Sequence, residues 1–172
     1  GNTGGGIPTG TDGFSARLMW RADGQIVQDM YYPDQPEYYG EDMPWTDATT
    51  GEPLRFTPGA WQNVTHELHL NTPGQSDGWI RTYLDGQLAL ERTDLRFRDT
   101  DAFAIDGVYF STFFGGGSAS WSTTQDETIY FDNFSVTSLS SEQAPPVSAP
   151  SLELVADTTG VQLLVDPATG LA

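Results

Sequence analysis

The sequence predicts an all-β fold in which two antiparallel sheets pack face to face around one core. Three observations carry this prediction. Apolar residues alternate with polar ones over several short runs, Gly and Pro punctuate the chain between the runs, and no stretch has the periodicity of an amphipathic helix. The 172 residues include 19 Gly, 11 Pro, five Trp, seven Tyr and nine Phe, which suits one domain with a substantial core and many turns.

The first half of the chain predicts a strand pair followed by a long loop. Residues 14–21 alternate strictly, residues 22–24 (Ala-Asp-Gly) form a turn, and residues 25–32 are the returning strand. Residues 38–58 are acidic and interrupted by Pro and Gly, which predicts an irregular loop.

The second half predicts five more strands. Residues 61–70 form one, and residues 79–90 form a hairpin around Asp85-Gly86, a pair that favours the positive φ values of a tight turn. Residues 108–114 and 128–136 are the last strands expected in a domain that covers residues 1–137.

Composition changes after that domain. Residues 138–150 are rich in Pro and Ser and predict a linker. Residues 151–172 contain two short apolar runs, which are either a short β tail or the start of a further module. The glycine-rich opening resembles the inside of a loop, so we expect the N-terminal strands of the sandwich to lie outside this chain.

Charge excludes two classes of partner. The net charge of −17 comes from 24 Asp and Glu against seven Arg and no Lys, which disfavours nucleic acid and anionic membranes. No apolar run is long enough to span a bilayer, and no signal-peptide pattern is present.

Metal and cofactor sites have little support in the sequence. The chain has no Cys and only two His, and we expect no cofactor. A structural calcium ion is an open alternative whose best candidate ligands are Asp99, Asp101 and Asp106, although they lack the order of an EF-hand loop.

A polar and aromatic strand face is the best candidate for a functional surface. Ser15 and Arg17 lie two apart and therefore side by side, and one of Tyr31 and Tyr32 shares their face. Such a surface suits a sugar polymer, because Tyr stacks on pyranose rings and Arg grips a carboxylate through two hydrogen bonds. The residues expected to contact substrate are Tyr32, Tyr109, Ser111, Arg81 and Tyr83.

Other hydrolytic or nucleotide chemistry lacks a motif. No G-x-S-x-G, P-loop, H-E-x-x-H or dinucleotide fingerprint occurs, and no strand carries an array of carboxylates typical of a glycosidase. The residues alone therefore indicate a carbohydrate-binding sandwich.

Eight segments together resemble polysaccharide lyase family 14, over roughly residues 4–137. They are FSARLMWR (14–21), YYPDQ (31–35), PGAW (58–61), LNTPG (70–74), DGWIR (77–81), YLDG (83–86), YFSTFFGG (109–116) and IYFDNF (129–134). The resemblance implies a concanavalin A-like jelly roll that cleaves a uronate polymer, such as alginate or glucuronan, by β-elimination.

The resemblance also implies roles for individual residues. Ser15 and Arg17 match the family's Ser-x-Arg pair, so Arg17 would bind the uronate carboxylate and Ser15 would orient the substrate. Tyr31 matches the second tyrosine of a Tyr-x-Tyr motif and is the candidate acid–base group. Asp29 stands where the family has the first tyrosine.

Two departures keep a second function open. Asp29 could pair with Arg17 and reduce its positive potential, and the family's upstream catalytic lysine has no counterpart in a chain without Lys. A non-catalytic carbohydrate-binding module is therefore the alternative. The implied substrate and the acidic, salt-adapted surface predict secretion, and we expect either a companion N-terminal fragment or further domain, or a longer natural protein.

Overall fold

The computed structural model describes residues 5–105 and 107–138, whose strands form two three-stranded antiparallel sheets and confirm the predicted all-β sandwich. The first sheet contains β1 (Ser15–Trp20), β2 (Ile26–Tyr31) and β3 (Glu41–Pro44), in that order. The second sheet contains β4 (Val64–His69), β5 (Gly78–Leu84) and β6 (Gln87–Leu95), also in order. The described residues contain no helix long and apolar enough to cross a membrane.

Asp-Gly pairs close both tight hairpins, as predicted for residues 22–24 and for Asp85-Gly86. Between β1 and β2, Asp23 has φ 57° and Gly24 has φ 70°; between β5 and β6, Asp85 has φ 50° and Gly86 has φ 77°. Two consecutive residues at positive φ match the right-handed twist of the flanking strands. The turns therefore help to set the register of both hairpins.

The two sheets face each other across the core, and alternate residues of each strand enter it. One buried cluster combines Met30 and Met43 of the first sheet, and Tyr32 just after β2, with Leu68, Ile80 and Leu95 of the second sheet. The other cluster consists of Ile26, Trp45, Val64, Leu84 and Ala89. Each sheet turns its apolar face to the core, so the other face of each sheet lies on the outside of the sandwich. These two outside faces are on opposite sides of the molecule.

The prediction that residues 38–58 form a loop is wrong at β3. Met43 and Trp45 alternate into the core, and bridges join Gln25 to Arg55 and Thr46 to Pro53. Pro44 is tolerated because β3 lies at the edge of its sheet, where a missing backbone N–H costs little.

The predicted strands at residues 108–114 and 128–136 are absent from the described residues. An extended segment becomes a strand only when its backbone N–H and C=O groups form hydrogen bonds with a neighbouring strand. Neither segment joins either sheet. Phe110, Phe131 and Phe134 instead contact one another, with ring centroids 4.8 to 6.2 Å apart. Residues 139–172, which hold most of the predicted linker and the whole predicted tail, lie outside the described residues.

His66 brings an ionisable ring into the core side of β4, between Val64 and Leu68. Its Nε2 is buried without a hydrogen-bond partner, as is Oγ1 of Thr82 directly opposite on β5. Burial lowers the pKa of His66 to about 4. The folded protein therefore holds this histidine in its neutral form.

The unfolded state should take up a proton on His66 before the folded state does, since the ordinary pKa of histidine is about 6.5. Stability should therefore fall as the pH drops from about 6.5 towards 4, by about 1–2 kcal/mol between pH 7 and pH 5. Denaturant unfolding at the two pH values should show a smaller loss for His66→Leu than for the parent. His69→Leu, on the other face of β4, is the control and should keep the parental loss; an unchanged loss in His66→Leu would rule His66 out as its source.

Candidate active site

The register of β1 against β2 brings the three predicted catalytic residues to one face. Ser15 lies opposite Tyr31 and Arg17 lies opposite Asp29, and directly opposite residues of an antiparallel pair point to the same side. Asp42 on β3 lies opposite Asp29 and joins them. We call the side that carries these five residues the outer face of the first sheet.

Arg17 contacts each of the other polar groups on β1 and β2. Its Nε donates a hydrogen bond to Ser15 Oγ at 3.2 Å, and its guanidinium carbon lies 4.5 Å from the centroid of the Tyr31 ring. Its Nη1 lies 3.8 Å from Asp29 Oδ2. The Arg17 side chain is 31% exposed, so a carboxylate from solution can approach it.

Asp29 is the most constrained group of the face. Its side chain is almost fully buried, and Oδ1 has no hydrogen-bond partner. Burial raises the pKa of Asp29, Arg17 opposes that shift, and the nearby Asp42 adds to it. The ion pair with Arg17 therefore compensates only part of the cost of burying this charge.

Arg21 and Asp42 form a second ion pair beside the first, which sequence reasoning missed. Arg21 Nε donates to Asp42 Oδ2 at 2.7 Å, and Nη2 donates to Oδ1 at 2.5 Å. Asp42 was assigned to a loop because β3 was not recognised. The alternation of Met43 and Trp45 with polar neighbours was the signal that could have placed it.

Tyr31 is covered by the glycine-rich segment that precedes β1. Only 4% of the residue is exposed, and the backbone N–H of Gly5 donates to its hydroxyl oxygen at 3.4 Å. That distance is long for a hydrogen bond, so exchanging this contact for one to a ligand costs little.

Tyr32, predicted to contact substrate, points the other way. It belongs to the core cluster, is 3% exposed, and donates its hydroxyl hydrogen bond to Glu41. Consecutive strand residues face opposite sides, so Tyr31 and Tyr32 cannot share the outer face. The predicted role of Tyr32 is corrected to a structural one.

Arg81 and Tyr83 also lie away from Arg17. They project from the second sheet on its side opposite the core, where Arg81 donates to Glu91 at 2.6 Å and Tyr83 donates to Glu67 at 3.3 Å. Burial and Glu67 raise the pKa of Tyr83 to about 12. The core separates this side from the outer face of the first sheet, so the predicted single site does not include them.

Tyr109 and Ser111 are not brought to the site either. Both lie in the exposed segment that forms no strand, and Tyr109 is 90% exposed. Their predicted contact with substrate depended on a strand at residues 108–114, which the described residues do not form.

The calcium hypothesis gains no support from the described residues, which hold no group of three or more potential metal ligands. Asp99 instead accepts hydrogen bonds from Arg96 at 2.7 and 2.8 Å. Asp106 lies outside the described residues. A shallow depression lined by Thr46, Ala48 and residues 88–91 contains none of the predicted site residues.

Gly40 fixes the position of two site residues. A β-carbon at Gly40 would lie 2.6 Å from Asp29 Oδ1 and 2.9 Å from Tyr31 Cε2, and its φ of 90° already disfavours other residues. The loop before β3 therefore packs its backbone directly against the candidate site.

Gly40→Ala should consequently lower the free energy of unfolding by about 2 kcal/mol or more, because steric overlap adds to backbone strain. Gly51→Ala is a matched control: its φ is 74°, but a β-carbon there would meet nothing within 4 Å, so strain alone should cost about 1 kcal/mol. Denaturant unfolding of both variants measures the difference. Equal losses would show that the contact with Asp29 and Tyr31 is not tight.

The arrangement combines a partly exposed cation with a hydroxyl, a phenol and a buried carboxylate. The cation can neutralise a bound acid, and the phenol ring lies against the guanidinium. These are the groups needed for proton transfer next to a carboxylate.

Two solved structures are similar to this chain. The chain resembles the solved structure of alginate lyase Aly36B, with a TM-score of 0.55 and 25% identity over 72% of this chain and 51% of that one. It also resembles the crystal structure of the marine PL-14 alginate lyase from Aplysia kurodai, with a TM-score of 0.51 and 31% identity over 69% of this chain and 53% of that one. The chain thus spans about half the length of each. No curated protein matches.

The jelly-roll form of the sandwich is supported by both structural matches. The family model for polysaccharide lyase 14 matches residues 1–134, which include both sheets and every residue of the candidate site. The chain therefore belongs to the polysaccharide lyase 14 family.

Proposed function

We propose that this chain carries the carboxylate-binding part of a lyase that cleaves a uronic-acid polymer by β-elimination. The observation that carries the proposal is the contact of Arg17 with Ser15, Asp29 and Tyr31 on one face of the sandwich. Alginate is the first substrate to test, because both similar structures are described as alginate lyases. Glucuronan has the same carboxylate beside the proton to be removed and is the second.

The proposed reaction begins at the uronate carboxylate. Arg17 binds it and withdraws negative charge, which acidifies the neighbouring C5 proton. A base removes that proton, the C4–O bond to the next sugar breaks, and a C4–C5 double bond forms. An acid returns a proton to the departing glycosidic oxygen, so the products are an unsaturated uronate and a new chain end.

Tyr31 is the acid–base group that the geometry favours, because its ring lies against the guanidinium that would hold the carboxylate. Ser15 Oγ accepts a hydrogen bond from Arg17 Nε, and this bond would orient Arg17 towards the substrate. The hydroxyl of Tyr31 must exchange its contact with Gly5 for one to the sugar.

Asp29 competes with the substrate for Arg17. Its pairing distance of 3.8 Å is at the outer limit of an ion pair, which leaves the competition weak. Because burial raises the pKa of Asp29, protonation would relieve the competition at a higher pH than for an ordinary carboxyl group.

The net charge of −17 does not prevent binding of a polyanion. The Debye length is about 8 Å at about 0.15 M salt and about 3 Å at about 1 M. Distant carboxylates are therefore screened in a salty medium while the direct contact with Arg17 persists. This argument also supports the proposal of a secreted, salt-adapted protein.

Carbohydrate binding without cleavage is the second candidate function. The Arg17–Asp29 pair favours it, since Asp29 stands where the family resemblance implies the first tyrosine of the Tyr-x-Tyr motif.

The two functions separate in an assay for the ultraviolet absorbance of the unsaturated uronate. We expect the parent to generate it from alginate, and Arg17→Ala and Tyr31→Phe each to reduce the rate by about a hundredfold or more. Arg81→Ala removes an arginine from the opposite side of the sandwich and is the matched control, which should retain parental activity.

Binding of alginate without new absorbance would establish the binding module instead. New reducing ends without absorbance would indicate a hydrolase and contradict both proposals. Activity lost equally in Arg17→Ala and Arg81→Ala would contradict the placement of the site.

Asp29→Asn should improve substrate binding, because it removes the charge that competes for Arg17. We expect KM for alginate to fall about two- to fivefold, which corresponds to about 0.5–1 kcal/mol. In the parent, KM should also fall as the pH is lowered and Asp29 takes up a proton, and this dependence should be missing in Asp29→Asn. Asp94→Asn, which breaks an ion pair with Arg92 on the second sheet, is the control and should leave KM unchanged. A higher KM in Asp29→Asn would show that Asp29 supports substrate binding rather than opposing it.

A further inference from the structure

We propose that Tyr38 and Tyr39 form a subsite on which a pyranose ring of the polymer stacks, immediately beside Tyr31. The inference rests on the proposed function, because it assigns the neighbouring sugar of the same substrate. Neither residue entered the sequence-based site, and both lie in the loop that precedes β3.

Gly5 connects this pair to the candidate site. Its backbone N–H donates to the hydroxyl oxygen of Tyr31 at 3.4 Å. A β-carbon at the same residue would lie 3.6 Å from Cε1 of Tyr39 and 3.7 Å from Cε1 of Tyr38. The three tyrosines therefore surround one glycine, and both exposed rings lie within a sugar unit or two of the phenol assigned to proton transfer.

The pair is exposed in a way that the core does not explain. Tyr38 is 58% exposed and Tyr39 is 76% exposed, and their rings contact each other edge to face with centroids 5.1 Å apart. Single exposed apolar residues are ordinary, but two adjacent aromatic rings at the border of a polar site are a typical surface for a sugar face.

A buried glutamine holds the loop that carries the pair. The Oε1 of Gln35 accepts a hydrogen bond from the backbone N–H of Tyr32, and its Nε2 donates to the carbonyl oxygens of Glu37 and Gly6. The backbone N–H of Gly6 in turn donates to the carbonyl oxygen of Tyr38 at 2.9 Å. These bonds fix the backbone at Tyr38 and in the residues that precede it, so stacking costs little conformational entropy.

The chemistry of the ring pair complements that of Arg17. Arg17 offers charge to one carboxylate, while Tyr38 and Tyr39 offer uncharged faces to the C–H groups of a pyranose. The contribution of the pair should therefore be insensitive to salt. A protein partner fits less well, because the loop also carries Glu37 and the apolar area of two rings is far smaller than a stable interface requires.

The test is calorimetric binding of an alginate hexasaccharide to the full chain and to single variants. Tyr39→Ala and Tyr38→Ala should each weaken binding about three- to tenfold, equally at low and high salt, and Tyr39→Phe should retain parental affinity because the ring remains. Trp121→Ala removes another exposed ring outside the loop and is the control. In the absorbance assay the alanine variants should raise KM by the same factor and leave kcat within about twofold.

The outcomes separate the subsite from the lyase activity. A parent that cleaves alginate, with alanine variants unchanged in affinity and KM, would overturn the subsite and leave the proposed function intact. A parent that binds the hexasaccharide through Tyr38 and Tyr39 without cleaving it would support the subsite and overturn the lyase. A parent that neither binds nor cleaves alginate or glucuronan would overturn both.

Discussion

The register of the β1–β2 hairpin is the constraint on which both the fold and the candidate site depend. Strand side chains alternate with a period of two, so a slip of one residue would turn Arg17 into the core and expose Leu18. Two features hold the register: the positive φ values of Asp23 and Gly24 in the turn, and the burial of Ile26 and Met30 on the inner face.

The outer face of the first sheet is unusual because its charges form two adjacent pairs, in which only Asp29 is buried. Arg17 with Asp29 and Arg21 with Asp42 form two adjacent ion pairs, one loose and one with two short hydrogen bonds. The loose pair is the one beside Tyr31 and Ser15. An arginine held weakly by its own carboxylate can exchange it for a ligand's carboxylate, whereas a tightly held arginine such as Arg21 mainly supports the sheet.

The sequence pattern was sufficient to predict those strands and turns that neighbouring residues determine. The alternation at residues 14–21 and the two Asp-Gly turns identified both hairpins, and the spacing of Ser15 and Arg17 placed them side by side. Pattern failed at β3, where Pro44 concealed an edge strand, and in the segment that carries Tyr109, where an apolar alternating sequence found no pairing strand within the described residues.

The composition of the site required tertiary information. Alternation correctly predicts that Arg81 points away from an apolar neighbour, but it cannot say on which side of a two-sheet sandwich that face lies. Tyr31 and Tyr32 illustrate the same limit. Because they are consecutive, only one of them can share a face with Arg17. Met30 packs in the core together with Tyr32, which leaves Tyr31 on the face of Arg17. Tyr38 and Tyr39 were overlooked because their relation to Tyr31 passes through Gly5, far away in sequence.

The assignment of the site to the outer face of the first sheet is tested most directly by backbone amide chemical shifts during titration with an alginate oligosaccharide. The geometry predicts that the largest changes fall on Ser15, Arg17 and Tyr31 and extend to Gly5 and the loop before β3, while β4–β6 change little. Changes confined to the side of the second sheet that carries Arg81 and Tyr83 would contradict it and move the site to the opposite side of the sandwich.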